Sequence, residues 1–254
     1  MSHTVEVRGV RIGEGIPKII VPIVAETGEE ILRDARNLRE SGCDLVEWRA
    51  DWFDNVFSFD RVREILEELR GILGDRPLLF TFRTKKEGGE KEIDPEAYAE
   101  LNIRAAETGS VDLIDAELFT GDEIVSRMIT EAHAAGVKVI TSSHDFQHTP
   151  EKQEILARLL KMKTLGADIL KVAVMPESRR DVITLLDATE SFSSENPDVP
   201  IITMSMSGCG LVSRLSGESF GSAATFGAVG KTSAPGQIDA ETLGNILEVI
   251  HKNS

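Results

Sequence analysis

Eight short runs of apolar, mostly β-branched residues recur along the chain, and each is followed by a longer segment with the spacing of an amphipathic helix. The runs begin at Lys18, Leu45, Leu78, Leu113, Val137, Ile169, Ile201 and Ala223. Eight strand–helix units in 254 residues, with no linker rich in proline or serine, predict a single α/β domain, a (β/α)8 TIM barrel over residues 1–254. An open, doubly wound α/β sheet is the alternative.

Signals at the ends of the predicted elements support the same division of the chain. The segment TVEVRG followed by VRIGEG predicts a β-hairpin ahead of the first unit, and it would cover the N-terminal end of the barrel. Thr27 and Glu30 have the spacing of a capping box at a helix start. Asp94 and Thr149 each precede a proline, which predicts a cap residue before a proline at the first helical position.

The chain is acidic, with 28 Lys and Arg against 43 Asp and Glu and a formal net charge of −15. Such a surface repels phosphate backbones and anionic lipids, so we expect neither nucleic acid nor membrane as a partner. An anionic small-molecule substrate would need a local cluster of Arg and Lys.

Cysteine usage and the absence of targeting patterns indicate the compartment. Cys43 and Cys209 lie far apart and have no disulfide or zinc-ligand spacing. The N-terminus lacks the basic and apolar regions of a signal peptide, and no apolar run is long enough to span a bilayer. We therefore expect a soluble, cytoplasmic protein.

Charged residues interrupt the strands, although strands of a parallel barrel are covered on both faces. In LVEWRAD, the alternation of side chains places Glu47, Arg49 and Asp51 on one face. The same alternation pairs four further sets at the predicted mouth of the barrel: Thr81 with Arg83, Asp115 with Glu117, Ser142 with His144, and Met204 with Met206. The C-terminal mouth of a barrel is where chemistry occurs, although buried ion pairs of Glu47 with Arg49 or Arg83 are a structural alternative.

Lys171 is the most informative of these charges, because its neighbours in ILKVAVM are apolar. Burial disfavours the ammonium form and lowers the pKa of such a lysine, and a neutral amine attacks a ketone to form a Schiff base. The alternative is a structural cation held by Asp115 or Glu117. His144 ends the preceding strand, where it would serve as a general acid or base. Glu87, just past the end of the third run, is within reach of that histidine.

Three further segments carry weaker signals. The spacing of His144, Asp145 and His148 is a poor match to a metal site, and we expect no metal or cofactor. The glycine-rich turn SGCGLVSR before a helix is where many barrels bind phosphate, and Arg214 suits a carboxylate or a phosphate. The last loop, GKTSAPGQID, is long enough to be a lid.

Taken together, the segments EWRAD, PLLFTFRTKKEGGE, LIDAELF, HDF, KVAVMP, ITMSMSGCGLVSR, GSAATFG and SAPGQI resemble the type I 3-dehydroquinate dehydratases over essentially the whole chain. The resemblance implies a barrel lyase of the shikimate pathway that dehydrates 3-dehydroquinate through a lysine Schiff base without a metal or organic cofactor. By this likeness Lys171 forms the imine, His144 is the general acid and base, and Glu87 orients His144. A homodimer is the expected assembly.

The resemblance also implies a substrate-binding set. Its polar members would be Glu47, Arg49, Arg83, Arg214, Ser233 and Gln237, with Arg214 holding the substrate carboxylate. Its apolar wall would be Met204, Met206, Phe226 and Ala234. Pro22 departs from the family pattern, which commonly has a small hydroxyl residue there.

Two other functions remain open on sequence alone. A Schiff-base aldolase or transaldolase would use the same lysine and bind phosphate at the glycine-rich turn. A non-catalytic metabolite-binding barrel would keep the pocket without the chemistry, although the joint presence of Lys171, His144 and Glu87 argues against it.

Overall fold

The structure is a computed structural model that describes residues 4–39, 41–230 and 232–254. Within these ranges the strands form an antiparallel two-stranded hairpin and a parallel eight-stranded sheet. The hairpin strands are β1 (Val5–Val7) and β2 (Val10–Ile12). The strands of the larger sheet are β3 (Lys18–Ile23), β4 (Leu45–Arg49), β5 (Leu78–Thr81), β6 (Leu113–Glu117), β7 (Lys138–Asp145), β8 (Ile169–Val174), β9 (Ile201–Ser205) and β10 (Ala224–Phe226).

The larger sheet closes on itself to form a barrel. Each strand from β3 to β8 pairs in parallel with the next along the chain, and β10 pairs back onto β3. At the remaining seam, the backbone N–H of Ala223 donates to the carbonyl of Ile201 at 2.7 Å, and Ile201 forms a bridge with Ser222. The predicted TIM barrel is therefore confirmed, and the open sheet is excluded.

Helices and short 3-10 turns connect the strands. Over the ranges given above, the helices are α1 (Gly28–Leu38), α2 (Phe59–Leu73), α3 (Pro95–Glu107), α4 (Asp122–Ala134), α5 (Lys152–Leu165), α6 (Arg179–Glu195), α7 (Leu211–Leu215), α8 (Gly217–Phe220) and α9 (Ala240–His251). The 3-10 turns are Ala50–Trp52, Lys85–Glu87 and Leu118–Thr120. Among the helices of the described residues, none has the length and apolar character needed to span a membrane.

Two of the three predicted helix starts are confirmed. Thr27 and Glu30 form the reciprocal capping box of α1, and Asp94 caps α3 ahead of Pro95. The start predicted at Thr149 is wrong, because α5 begins at Lys152. The Thr149 hydroxyl instead donates to the carbonyl of Met175 at 3.0 Å and fixes the connecting loop against the end of β8.

The barrel separates two apolar layers, and the hairpin completes the inner one. The outer layer lies between the strands and the helices. The inner layer fills the lumen with one side chain each from several strands, among them Leu45, Leu79, Leu113, Ile140, Ile169 and Ile202. Val5, Val7 and Ile12 of the hairpin pack into this layer, and Arg8 donates to Asp112, just ahead of β6, at 2.6 Å. The hairpin thus covers the N-terminal end, as predicted, and leaves the C-terminal end for polar side chains.

Candidate active site

All thirteen predicted site residues line one cavity at the C-terminal end of the barrel. The cavity measures about 40 Å³, room for a few water molecules. Its walls also include Gly88, Phe146 and Ala173. The predicted residues in its wall are Glu47, Arg49, Arg83, Glu87, His144, Lys171, Met204, Met206, Arg214, Phe226, Ser233, Ala234 and Gln237.

Lys171 lies in the middle of β8 and points into this cavity. Its side chain is 4% exposed, and Nζ lies 4.4 Å from the centre of the Phe226 ring and 3.7 Å from Oδ2 of Asp115. Burial lowers the pKa of the Lys171 amine, and Arg83 adds to this effect, while Asp115 opposes it. The amine is therefore held where its neutral, nucleophilic form is more populated than for a lysine in water.

His144 and Glu87 form a hydrogen-bonded pair beside Lys171. Nδ1 of His144 lies 2.9 Å from Oε2 of Glu87, and the backbone N–H of His144 donates to the same oxygen at 3.0 Å. Burial lowers the pKa of His144 well below its usual value, and the positive charges of Arg83 and Lys171 lower it further. An imidazole that is neutral and held through Nδ1 leaves Nε2 available as a base.

The pKa of Glu87 is shifted in the direction opposite to that of His144. Burial raises the pKa of Glu87 to about 8, and the negative charge of Glu117 adds to the rise while Arg83 opposes it. Since burial disfavours the charged form of both partners, the pair carries little charge near neutral pH.

Arg83, just past the end of β5, gathers three carboxylates. Its Nη1 lies 2.8 Å from Oε1 of Glu117 and 3.5 Å from Oε2 of Glu87, and its Nη2 lies 2.8 Å from Oδ2 of Asp115. Ser142 accepts a hydrogen bond from Arg83 at 3.0 Å and donates one to Asp115 at 2.6 Å. This network ties the ends of β5, β6 and β7 together beneath the reacting side chains.

The structural alternative for Glu47 and Arg49 is not what the structure shows. Arg49 forms a bidentate ion pair with Asp51, in which Nε donates to Oδ1 and Nη2 to Oδ2, both at 2.7 Å. Glu47 accepts a hydrogen bond from Thr81 at 2.9 Å, and within the described residues it lies within 4.0 Å of neither Arg49 nor Arg83 in an ion pair. Glu47 therefore keeps an oxygen for a ligand.

Arg214, on the short helix α7, is a buried guanidinium that lacks an acidic partner. Its Nη1 donates to the sulfur of Met204 at 3.6 Å and its Nη2 to the carbonyl of Pro235 at 3.2 Å. In the part of the chain that the structure describes, no carboxylate lies within 4.0 Å of it, and its Nε has no hydrogen-bond partner. Burial lowers the pKa of Arg214 to about 10. An unpaired cation in this position calls for an anionic ligand.

The loop after β10 lies over the mouth of the barrel. Ser233 donates its backbone N–H to Oε1 of Gln237 at 2.8 Å, and Gln237 donates to the hydroxyl of Ser233 at 3.0 Å. Gly236 has a φ of 81°, and a Cβ atom there would lie 2.4 Å from the carbonyl of Ser207, so only glycine fits this close approach. The segment predicted as a lid therefore borders the cavity through Ser233, Ala234 and Gln237; Lys231, which is part of it, lies outside the described residues.

Three N–H groups of the glycine-rich turn after β9 are bonded within the chain, so they are not free to bind phosphate. The backbone N–H of Ser207 donates to the carbonyl of Pro235 at 3.2 Å. The N–H of Gly210 donates to the carbonyl of Ser207 at 3.2 Å, and that of Leu211 donates to the carbonyl of Gly208 at 3.4 Å. Through the bond from Ser207 to Pro235, the turn instead contacts the loop after β10.

Sequence reasoning missed Phe146 and Gly88 as wall residues. Gly88 adopts a left-handed conformation, and a Cβ atom there would lie 2.3 Å from the ring of Phe146. Phe146 follows His144 by two residues, so strand periodicity would have placed both on one face. Pro22 is buried in β3 opposite Glu47 and does not line the cavity.

No alternative metal site emerges near His144. His148 pairs with Asp145 at 3.3 Å at the surface. Across the described ranges, no three His, Cys, Asp or Glu side chains group in a way that would hold a metal ion.

Comparison with known proteins gives consistent matches. The family model of the type I 3-dehydroquinases matches residues 19–254. The chain is 52% identical over 253 residues to a 3-dehydroquinate dehydratase of Clostridium botulinum, which covers all of both chains. It is 52% identical over 250 residues to that of Listeria monocytogenes, which covers 98% of this chain and 99% of the relative.

A solved structure matches equally well. The type I 3-dehydroquinate dehydratase of Clostridioides difficile, crystallised with covalently modified comenic acid, superimposes with a TM-score of 0.97 and 50% identity over all of both chains.

Proposed function

Because the chain belongs to the type I 3-dehydroquinase family, and is thereby a lyase, we propose that it converts 3-dehydroquinate to 3-dehydroshikimate through an imine on Lys171. One arrangement carries the proposal. A buried amine, a neutral imidazole and a guanidinium that no carboxylate of the described residues pairs with face the same cavity.

In the first step the neutral Lys171 amine adds to the ketone carbon of the substrate. The carbonyl oxygen takes one proton from the nitrogen and one from the protonated carboxyl of Glu87, and it leaves as water. The product is a protonated imine, which withdraws electrons from the neighbouring carbon more strongly than the ketone does.

In the second step His144 removes the proton from the carbon next to the imine, and the electrons of that C–H bond move toward nitrogen to form an enamine. The enamine then expels the β-hydroxyl group, which takes the proton back from His144 and leaves as water. A water molecule then hydrolyses the protonated, conjugated imine, which regenerates the neutral amine and returns a proton to the Glu87 carboxylate. Glu87 holds Nδ1 of His144, which keeps Nε2 aimed at the substrate.

The remaining side chains hold the substrate in place. Arg214 binds its carboxylate, because this is the buried cation in the cavity without an acidic partner. Glu47, Arg49, Arg83, Ser233 and Gln237 bind the hydroxyl groups and the carboxylate, and Met204, Met206, Phe226 and Ala234 pack against the ring. Because the cavity measures only about 40 Å³, we expect the loop that carries Ser233 and Gln237 to open for substrate entry.

The test is ultraviolet detection of the enone product from 3-dehydroquinate, combined with borohydride reduction of the imine. We expect turnover by the wild type, with or without a chelator, and ligand mass on the peptide that contains Lys171. Lys171→Ala abolishes turnover and labelling but leaves ligand binding measurable. His144→Ala is the matched control, since it should still form the imine and stall afterwards.

Labelling of another peptide, or near-normal turnover by Lys171→Ala, would contradict the role of Lys171. The aldolase alternative predicts that inorganic phosphate competes with substrate. We expect no such competition, because three N–H groups of the glycine-rich turn are already bonded within the chain and the fork of Arg214 suits the substrate carboxylate.

A further inference from the structure

We propose that Asp115 is the counterion of the protonated imine, holding the proton on the nitrogen of Lys171 during the reaction. This inference rests on the proposed imine and adds a residue that acts through Lys171 without touching the substrate.

Asp115 is a buried carboxylate placed to stabilise a positive charge beside it. The side chain is fully buried in β6. Its Oδ1 accepts a hydrogen bond from Ser142 at 2.6 Å. Its Oδ2 faces two cations, Nη2 of Arg83 at 2.8 Å and Nζ of Lys171 at 3.7 Å.

Charge balance in the cluster favours a positive charge on the lysine nitrogen. Arg83 supplies one positive charge, whereas Asp115 and Glu117 supply two negative ones. Burial alone would raise the pKa of Asp115, but Arg83 and Lys171 bring it below its usual range, so the carboxylate is charged. With a neutral amine the cluster is one positive charge short, and a protonated imine restores the balance.

The other charged groups around Nζ do not replace Asp115. The groups that act on Lys171 from the neighbouring elements are Asp115 from β6, Glu47 and Arg49 from β4, Arg83 after β5, and His144 from β7. Arg49 is already paired with Asp51, and Glu47 acts less strongly on Lys171 than Asp115 does. Asp115 is therefore the main carboxylate that favours a cation at this nitrogen.

The negative charge of Asp115 should matter most at high pH, where the imine tends to lose its proton. A neutral imine that has lost its proton is a weak electron sink, so elimination needs the protonated form. An opposite charge at this distance raises the pKa of its partner by about 1–3 units. Without Asp115, the imine should lose its proton at lower pH.

The experiment is the pH profile of kcat for Asp115→Asn, since kcat reports groups in the enzyme–substrate complex. We expect the alkaline limb to move down by about one unit or more, while borohydride at mildly acidic pH still traps ligand on Lys171. Glu117→Gln is the matched control. It removes the carboxylate that acts more strongly than Asp115 on Glu87. A limb set by Glu87 would move more in this variant, whereas we expect it to move less than in Asp115→Asn.

Each outcome separates this inference from the function it rests on. If the wild type traps no imine on Lys171, the proposed function fails. If imine is trapped but the alkaline limb of Asp115→Asn coincides with that of the wild type, or shifts equally in Glu117→Gln, the counterion role is overturned. Should Asp115→Asn not fold by near-ultraviolet circular dichroism, Asp115→Ser provides a second neutral replacement with the same expected shift.

Discussion

At the scale of single residues, the protonation of the Glu87–His144 pair links chemistry to stability. The pKa of Glu87 rises from 4.5 to about 8 in the folded protein, chiefly through burial. Between these values the folded chain keeps a proton that the unfolded chain releases, so the free energy of unfolding falls as pH rises. The site therefore costs stability at the pH where its base works.

Glu87→Gln should remove this cost, because the amide is neutral at every pH. We expect the variant to be more stable than the wild type by about 1–4 kcal/mol near pH 8, with a smaller difference near pH 5. Urea denaturation at the two pH values measures it. Glu90→Gln, at an exposed position on the same loop, should change little at either pH. A gain that does not depend on pH would show that the carboxylate is not the cause.

Sequence alone predicted which side chains meet at the mouth, because strand periodicity and barrel closure determine where they point. It also predicted Glu87 beside His144 and gave Asp115 as one candidate partner of Lys171, but it did not predict the partner of Arg49. Arg49 pairs with Asp51 and not with Glu47, since the 3-10 turn after β4 brings Asp51 back toward the guanidinium. Phe146 and the role of Asp115 depend on packing between strands that are distant in sequence.

At the scale of elements, the barrel divides stability and chemistry between its two ends. The strand and hairpin positions were predictable, because each element has its own hydrophobic period and the units repeat. The start of α5 was not predictable, because the Thr149 hydroxyl donates to the carbonyl of Met175, just after β8, and does not cap the helix. The closed lid was also beyond prediction, since it depends on the approach of Gly236 to Ser207.

The hairpin should contribute to stability and not to catalysis. Ile12 is 1% exposed and packs into the lumen at the end opposite Lys171. Ile12→Ala should lower the free energy of unfolding by about 2–5 kcal/mol, measured by urea denaturation, without changing kcat. The exposed Glu6 on the same hairpin offers a control, and Glu6→Ala should stay within about 0.5 kcal/mol. A large fall in kcat for Ile12→Ala would show that the two ends are coupled.

At the scale of the whole molecule, the charge of −15 opposes an anionic substrate. Such a substrate would need a local cluster of Arg and Lys, and Arg49, Arg83, Arg214 and Lys171 meet at the mouth. The structure shows that carboxylates offset most of this charge, because Arg49 faces Asp51, while Arg83 and Lys171 face Asp115. The single domain over residues 1–254, the homodimer and the cytoplasmic location remain predictions.

Salt should therefore favour substrate capture. At about 0.01 M salt the field of the whole chain extends about 30 Å and repels the substrate, whereas at about 0.1 M it is screened beyond about 10 Å. The contact with Arg214 is short and buried, so it is screened far less. We expect kcat/KM to rise by about twofold or more over this range, with kcat unchanged.

The control for this prediction changes the electric field of the protein surface and leaves the residues of the cavity unchanged. Glu67 and Glu68 are exposed on α2, so replacing both with lysine makes the net charge less negative without touching the cavity. Initial rates at several ionic strengths, measured for this variant and the wild type, should show a flatter salt dependence in the variant and a higher kcat/KM at low salt. A kcat/KM that falls with salt in both proteins would mean that attraction by the mouth outweighs repulsion by the rest of the surface.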